Sequence, residues 1–122
     1  MSARVVVLGG GPAGDVAALR AAQLGAEVVL IERRELGGTC LNRGCVPSKA
    51  LLAISALARK IQHAGDFGLR VGELSFDFPR MQARKDEIVL RMRRGVEAAC
   101  QRQKVKVVNA EGRLSGDGVV AG

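Results

Sequence analysis

The sequence predicts an α/β fold in which helices pack on a parallel β-sheet. A β-branched segment at residues 4–8 runs into three glycines, a helical pattern follows, and a second aliphatic segment ends at residue 32. The span from Arg4 to Glu32 has the length of one βαβ unit, whose strands are parallel and whose crossover is right-handed. We therefore expect a three-layer domain built around a parallel sheet.

Both strands of this unit are aliphatic and lack polar alternation. Arg4–Leu8 and Ala26–Ile31 are continuous apolar runs, which predicts strands buried on both faces. The helix between them begins at Pro12, which a first helical turn tolerates, and ends at Gly25. Its apolar positions are Ala13, Val16, Ala17 and Leu24.

The sequence after Glu32 predicts a loop, two helices and three further strands. A polar loop at 33–39 precedes a helix that opens at Pro47 and ends before Gly65. Asp77 and Pro79 are start signals for a long amphipathic helix. Its apolar stripe is Met81, Ile88, Met92, Val96 and Ala99, and the strand Lys104–Asn109 follows it. Residues 113–115 and 119–121 form a hairpin around Gly116-Asp117-Gly118, and the chain stops inside its second arm. We therefore expect a fragment of a longer protein.

Composition excludes several classes of protein. The chain has 122 residues, 48% of them hydrophobic, with 16 Gly, 3 Pro and no Trp or Tyr, which is unlike collagen, a disordered tail or a disulfide scaffold. No apolar run approaches the roughly 18–20 residues of a membrane span, and the N-terminus lacks a secretory leader. We expect a soluble, cytoplasmic protein that makes no contact with a membrane.

The net charge of +7 is concentrated between residues 80 and 106. A basic helix can bind nucleic acid, but this segment has no aromatic side chain on which bases could stack. A solvated helix face, or a face that meets an acidic partner, explains the charge better. We expect no nucleic-acid partner.

The glycines after the first strand form a candidate phosphate loop. Gly9, Gly11 and Gly14 satisfy the pattern GxGxxG, which allows a tight turn, a close approach of pyrophosphate to the backbone, and close packing of helix on strand. Glu32 ends the second strand, where an acidic residue accepts the ribose hydroxyls of a dinucleotide and repels a 2′-phosphate. The pattern predicts a Rossmann-like dinucleotide site that disfavours NADP. The alternative is a tight turn beside a surface glutamate.

Asp15 fits this loop poorly, because it places a negative charge near a bound pyrophosphate. We expect its side chain to point away from the ligand.

Three cysteines in a chain without an export signal argue against a disulfide scaffold. Cys40 and Cys45 are five residues apart, too far for a disulfide in an ideal helix, so bridging them requires a distortion that Gly44 and Pro47 would allow. A redox-active pair, inert thiols and a metal site remain the alternatives; with His63 as the only histidine, Cys40 and Cys45 make no recognisable zinc set, and we expect no metal. Cys100 lies on the apolar face of the long helix, where packing in the core explains it.

The segment GGTCLNRGCVPSK at residues 37–49, together with GGGPAG and Glu32, closely resembles the flavoprotein disulfide reductases. Within that family SKALL at 48–52 is most similar to dihydrolipoamide dehydrogenase; mercuric and glutathione reductases are the runners-up. Arg43 stands where many members have a small apolar residue. The resemblance covers the whole chain, which corresponds only to the N-terminal part of the FAD-binding domain. The NAD(P)H domain and the interface domain would be absent from residues 1–122.

This resemblance implies FAD as the cofactor and NAD at a site on the missing part. Gly9, Gly11 and Gly14 would meet the FAD pyrophosphate, with Pro12 and Ala13 as neighbouring contacts, and Glu32 would meet the adenosine ribose. The flavin side would be lined by Gly38, Thr39 and Lys49, and Gly112 would return the backbone to the cofactor.

The resemblance also implies the reaction. Electrons would pass between a dithiol substrate, the Cys40–Cys45 disulfide, FAD and NAD, with Cys45 nearer the flavin and Cys40 meeting lipoamide or another disulfide. Implied partners are components of 2-oxoacid dehydrogenase or glycine cleavage systems, and a second copy in a homodimer. We expect the fragment alone not to turn over. A non-catalytic dinucleotide-binding module with idle thiols is the competing interpretation.

Overall fold

Three parallel strands form the central sheet of the structure, a computed structural model that describes residues 2–122. The strands are β1 (Arg4–Leu8), β2 (Glu27–Glu32) and β3 (Lys106–Asn109), in the order β1-β2-β3. Val7 pairs with Leu30 and Leu30 pairs with Val107, which sets the register of the sheet. The predicted α/β class and the parallel βαβ unit are confirmed.

The remaining elements are helices that cross between strands and a terminal hairpin. The helices are α1 (Pro12–Gln23), α2 (Gly38–Arg43), α3 (Cys45–Gln62) and α4 (Phe78–Arg102), with a 3₁₀ turn at Ala64–Phe67. The hairpin joins β4 (Gly112–Ser115) to β5 (Gly118–Ala121) in an antiparallel pair, as predicted. Both ends of this hairpin and of α1 lie within two residues of the positions expected from the sequence.

The core lies between one face of the sheet and the helices α1 and α4. Alternation along β2 directs Val28 and Leu30 to this face, while Ile31 points to the opposite one. The buried cluster comprises Ala18, Val28, Leu30, Leu36, Cys100 and Val105. Cys100 is 0% exposed, so its predicted role in core packing is confirmed.

The prediction that β1 is buried on both faces is wrong. Val6 and Leu8 are 39% and 41% exposed, whereas Val5 and Val7 pack against the core cluster. Helix α1 covers only one face of the strand, and the apolar residues of the other face lie partly open among the residues that the structure describes.

Both ends of α4 have a structural cause. Asp77 caps the N-terminus by accepting a hydrogen bond from the Arg80 N–H at 2.9 Å, as its position predicted. At the other end Lys104 adopts the left-handed conformation, with φ 56°, and donates its N–H to the Gln101 carbonyl at 3.0 Å. The third strand therefore begins at Lys106 and not at Lys104.

The buried face of α4 differs from the predicted apolar stripe at two residues. Met92, placed on the apolar stripe of α4, is 46% exposed, and Val89 is buried instead, because the contact of α4 with the core is centred one residue position away. Arg80 pairs with Glu87 at 3.0 Å on the exposed side of the same helix.

In the part of the chain that is described, no helix has both the length and the apolarity needed to cross a membrane.

Replacing Asp77 by alanine should destabilise the protein by about 1 kcal/mol, because the first turn of α4 loses its side-chain cap. Asp77→Asn keeps an acceptor oxygen in the same place and should destabilise the protein by only about a few tenths of a kcal/mol. Chemical denaturation and amide exchange at Arg80 measure the two effects. Equal stability of the alanine and asparagine variants would contradict the assigned cap.

Candidate functional site

The phosphate loop is fixed by the close packing of α1 on the end of β1. Gly9, with φ 93°, turns the chain out of β1 and donates its N–H to the Ile31 carbonyl at 2.8 Å. Gly14 faces this turn, and a Cβ added there would collide with the Gly9 carbonyl oxygen. Only glycine at position 14 lets the first turn of α1, with Pro12 and Ala13, approach the strand this closely.

A second close approach joins the phosphate loop to the start of α2. Gly38 has φ 67°, and a Cβ added there would lie 2.7 Å from the Gly11 Cα. The Gly37 N–H donates to the Gly10 carbonyl at 2.7 Å. The backbone at residues 37–38 therefore lies directly against the loop at 10–11, an approach that a side chain at position 38 would prevent.

Glu32 is held by backbone donors on both sides. One carboxylate oxygen accepts the Gly10 N–H at 2.7 Å, and the other accepts the Arg34 N–H at 2.8 Å. Each oxygen has a further lone pair, so the carboxylate can still accept a hydrogen bond from a ligand hydroxyl. The side chain is half-buried at the carboxyl end of β2, the edge where ligands bind in parallel sheets.

These elements enclose a groove of about 360 Å³. Five residues proposed from the sequence line it together: Gly9, Glu32, Gly38, Thr39 and Gly112. A Cβ on Gly112 would lie 2.5 Å from Leu8 Cδ2 and 3.0 Å from Ile31 Cγ2, so this position too must be free of a side chain. Gly11, Pro12, Ala13, Gly14 and Lys49 do not line the groove itself.

Two cysteines form a disulfide beside this groove. Cys40 lies within α2 and Cys45 is the first residue of α3, with a Cα–Cα distance of 4.7 Å. Gly44 breaks the helical path between them, with φ −124° and ψ −106°, which shortens the separation that a continuous helix would impose. A Cβ on Gly44 would lie 3.2 Å from the Thr39 carbonyl oxygen and 3.3 Å from the Cys40 Cα.

The sequence predicted a loop in place of α2 and a later start for α3. Helix α2 has only six residues and no side-chain cap, so no pattern in the sequence indicated it. Helix α3 begins at Cys45 and not at Pro47, and Pro47 occupies its first turn, where a missing N–H costs nothing. The Ser48 hydroxyl donates to the Gly44 carbonyl at 2.8 Å, which reinforces this start.

Sequence reasoning missed the contacts of Asn42 and Arg93. Asn42 lies within α2 and accepts a hydrogen bond from Arg93 Nε of α4 at 2.8 Å. Arg93 was assigned only to the basic segment, and nothing in the sequence links it to residue 42. Lys49 and His63 are exposed on α3 and at its C-terminal end, and His63 Nδ1 lies 3.7 Å from the Asp66 carboxylate.

Asp15 is half-buried and does not line the groove. Its Oδ1 atom is buried without a hydrogen-bond partner, and burial raises the pKa of the carboxyl, partly offset by the Val16 N–H. The pKa of the Cys100 thiol is raised first by burial and then by the charge of Asp15. Among residues 2–122 no three His, Cys, Asp or Glu side chains cluster as metal ligands.

Comparisons with known proteins cover almost the whole chain. Residues 3–122 fit the family model described as pyridine nucleotide-disulphide oxidoreductase. The dihydrolipoyl dehydrogenase of Chlamydia muridarum is 49% identical over 109 residues, which are 89% of this chain and 23% of that protein. Dihydrolipoyl dehydrogenase 2, mitochondrial, of Arabidopsis thaliana is 47% identical over 90% of this chain and 22% of its own length.

Solved structures agree. The crystal structure of LpdA from Mycobacterium tuberculosis superposes with a TM-score of 0.83 at 26% identity, over 94% of this chain and 25% of that one. The chain thus spans about a quarter of the length of the proteins it matches.

Asp15→Asn should stabilise the folded protein at pH 7, because it removes a charge from an oxygen that has no partner. The gain should stay below about 1 kcal/mol, since solvent reaches part of the side chain. A carboxyl whose pKa is raised on folding favours the folded state below its unfolded pKa and loses that contribution as the pH rises through its folded pKa. The stability difference between variant and wild type, measured by denaturation, should therefore grow between pH 3.5 and pH 7. A difference that shrinks with pH would contradict this placement of Asp15.

Proposed function

Since this chain belongs to the pyridine nucleotide-disulphide oxidoreductases, we propose that it is the N-terminal part of the FAD-binding domain of a dihydrolipoyl dehydrogenase. The observation that carries the proposal is the Cys40–Cys45 disulfide at the end of a glycine-lined groove. The NAD(P)H and interface domains of the enzyme would lie outside residues 1–122. Mercuric and glutathione reductases share such a pair, but the named relatives favour lipoamide as the substrate.

The residues present fit FAD. At positions 14, 38 and 112 an added Cβ would meet neighbouring protein atoms, so these glycines let the backbone segments around the groove pack closely, and Gly38 and Gly112 line the groove itself. Gly9, Gly11 and Gly14 would lie against the diphosphate together with Pro12 and Ala13, and the N–H groups of Gly11, Ala13 and Gly14 have no helical acceptor and would donate to it. Glu32 would accept the ribose hydroxyls, and Gly38, Thr39, Lys49 and Gly112 would contact the rest of the cofactor.

The chemistry that FAD supplies when bound is the transfer of an electron pair between the cysteines and NAD. The cysteines themselves exchange with the substrate. A substrate thiolate attacks Cys40 Sγ, the Cys40–Cys45 bond breaks, and Cys45 leaves as a thiolate. The second substrate thiolate then displaces Cys40, so the substrate leaves as a disulfide and the cysteines hold its two electrons.

Helix α3 favours this order of events. Cys45 is its first residue, and the positive end of an 18-residue helix stabilises a thiolate there. Exposure alone would favour Cys45 as the thiol that meets substrate, because Cys45 is exposed and Cys40 is half-buried. The assignment of Cys40 as the thiol that meets substrate rests on the order of the family motif, with FAD covering Cys45.

We place the enzyme in the cytoplasm and assign it a homodimeric state, with components of 2-oxoacid dehydrogenase or glycine cleavage systems as its partners. The names of the relatives support the substrate class, and the buried free thiol of Cys100 suits a reducing compartment.

Gly38→Ala should weaken FAD binding by about tenfold or more, because its Cβ would push the phosphate loop at Gly11 out of place. Gly116→Ala is the matched control. Both glycines have positive φ, 67° and 57°, so both substitutions strain the backbone, but nothing lies within 4 Å of a Cβ at position 116. Fluorescence titration of the apoprotein with FAD measures the difference, and equal affinities of the two variants would contradict the groove assignment.

After reduction, iodoacetamide should alkylate Cys40 at least about tenfold faster than Cys45 or Cys100 in the FAD-bound protein. Removing FAD should abolish the preference for Cys40 over Cys45, because Cys45 is the more exposed of the two in the chain alone. Peptide mass spectrometry after timed quenching gives the three rates. Equally slow alkylation of all three thiols would favour an idle dinucleotide-binding module.

A further inference from the structure

Arg93 connects α4 to the helix that carries Cys40. Its Nε donates to Asn42 Oδ1 at 2.8 Å, a half-buried hydrogen bond between residues 51 positions apart. A guanidinium donor makes this bond charge-assisted, which places it among the stronger side-chain hydrogen bonds. Arg93 does not line the 360 Å³ groove; it lines a neighbouring pocket of about 600 Å³, on the other side of Glu32.

The amide nitrogen of Asn42 also takes part in hydrogen bonds, both within the chain around α2. Its Nδ2 donates to the Leu36 carbonyl and to the Gly38 carbonyl, each at 2.9 Å. The Asn42 side chain therefore links the end of α2 to Gly38 at the start of α2, to Leu36 in the preceding segment, and to α4. We call this set of three hydrogen bonds the Asn42 clamp.

Helix α2 needs such a clamp. It has six residues, no side-chain N-cap, and two glycines with positive φ at its start, and a helix of this length is not stable on its own. In the disulfide state the covalent bond to Cys45 restrains Cys40. In the dithiol state Cys40 is kept near Cys45 by the packing of α2, in which Leu41 is buried, and by the hydrogen bonds of Asn42.

We propose that Arg93 is a positioning residue for the Cys40–Cys45 pair and acts through Asn42. The proposal rests on the proposed function, in which this pair is opened and closed in every turnover. By holding α2 in the dithiol state, Arg93 raises the effective concentration of one thiol at the other and so favours closure of the disulfide.

The outer ion pair of the same region is a weaker candidate. Arg43 and Glu35 lie 2.9 Å apart, but their side chains are 40% and 43% exposed, and such pairs contribute little. Arg43 chiefly, and Arg93 to a smaller extent, lower the pKa of the exposed Glu35 carboxyl. The hydrogen bond of Arg93 to Asn42, which is half-buried, is therefore the stronger candidate.

The test is the equilibrium between the full-length protein and dithiothreitol. The Cys40–Cys45 bond breaks into two thiols as dithiothreitol loses two electrons and two protons and closes to its cyclic disulfide. Acid quenching, alkylation and mass spectrometry give the reduced fraction without any flavin signal. Arg93→Met should make the pair about tenfold easier to reduce, which corresponds to roughly 30 mV.

Arg94→Met is the matched control, because it removes the same charge from the next, exposed residue of α4. It should leave the equilibrium unchanged, and the effect of Arg93→Met should persist in 0.5 M salt, where an effect of exposed charge would fade. A value for Arg93→Met equal to that of Arg94→Met would overturn the proposal.

A double-mutant cycle tests the path through Asn42. Asn42→Ala should ease reduction at least as much as Arg93→Met, and Arg93→Met should add nothing in the Asn42→Ala background. Additive effects would overturn the path. If the Cys40–Cys45 pair of the wild-type protein is reduced by dithiothreitol but never by NADH, the proposed function is refuted. The dithiothreitol equilibria of the variants then still decide whether Arg93 positions the pair.

Discussion

The approach of one glycine to another, Gly38 on Gly11, is the constraint on which the rest of the site depends. A single Cβ at position 38 would lie 2.7 Å from the Gly11 Cα, so the two backbones touch without side chains between them. The Gly37 N–H closes the same contact on the Gly10 carbonyl. This contact brings the start of α2 to the phosphate loop and thereby places Cys40, next to Thr39, beside the groove in which we propose that FAD binds.

The disulfide in turn depends on a helix that is interrupted at one residue. Gly44 lets α2 end and α3 begin within a single step, with Cys40 and Cys45 on either side. The consequence is a reactive pair whose first member sits on a short, weakly stabilised helix and whose second sits at the start of a long one. The asymmetry suits a pair that must open at one sulfur and hold a thiolate at the other. Arg93 of α4, 51 positions away in sequence, hydrogen-bonds to α2, and we propose that this contact holds the short helix in place.

Much of the fold could be predicted because its signals are local. β-Branched runs, Pro12, Asp77 and the Gly116–Gly118 turn each determine an element by their own chemistry, and the structure agrees with them. The burial of β1 was misjudged because composition does not indicate which faces neighbouring elements cover. Helix α2 is held by tertiary contacts, the left-handed conformation at Lys104 has no glycine to indicate it, and the bond between Asn42 and Arg93 joins segments that no periodicity relates. Five proposed site residues meet in one groove because strand ends and glycine turns determine their place, whereas Lys49 lies on α3 outside it.

The central claim is that the Cys40–Cys45 pair exchanges electrons with FAD bound in the groove. The visible absorbance spectrum of the full-length protein, recorded without oxygen before and after one equivalent of NADH, tests it most directly. The account predicts a flavin spectrum that gains a long-wavelength shoulder, produced by the Cys45 thiolate against the flavin. A flavin spectrum that bleaches with no shoulder would contradict the role of the cysteines, and a colourless protein would contradict the FAD site itself.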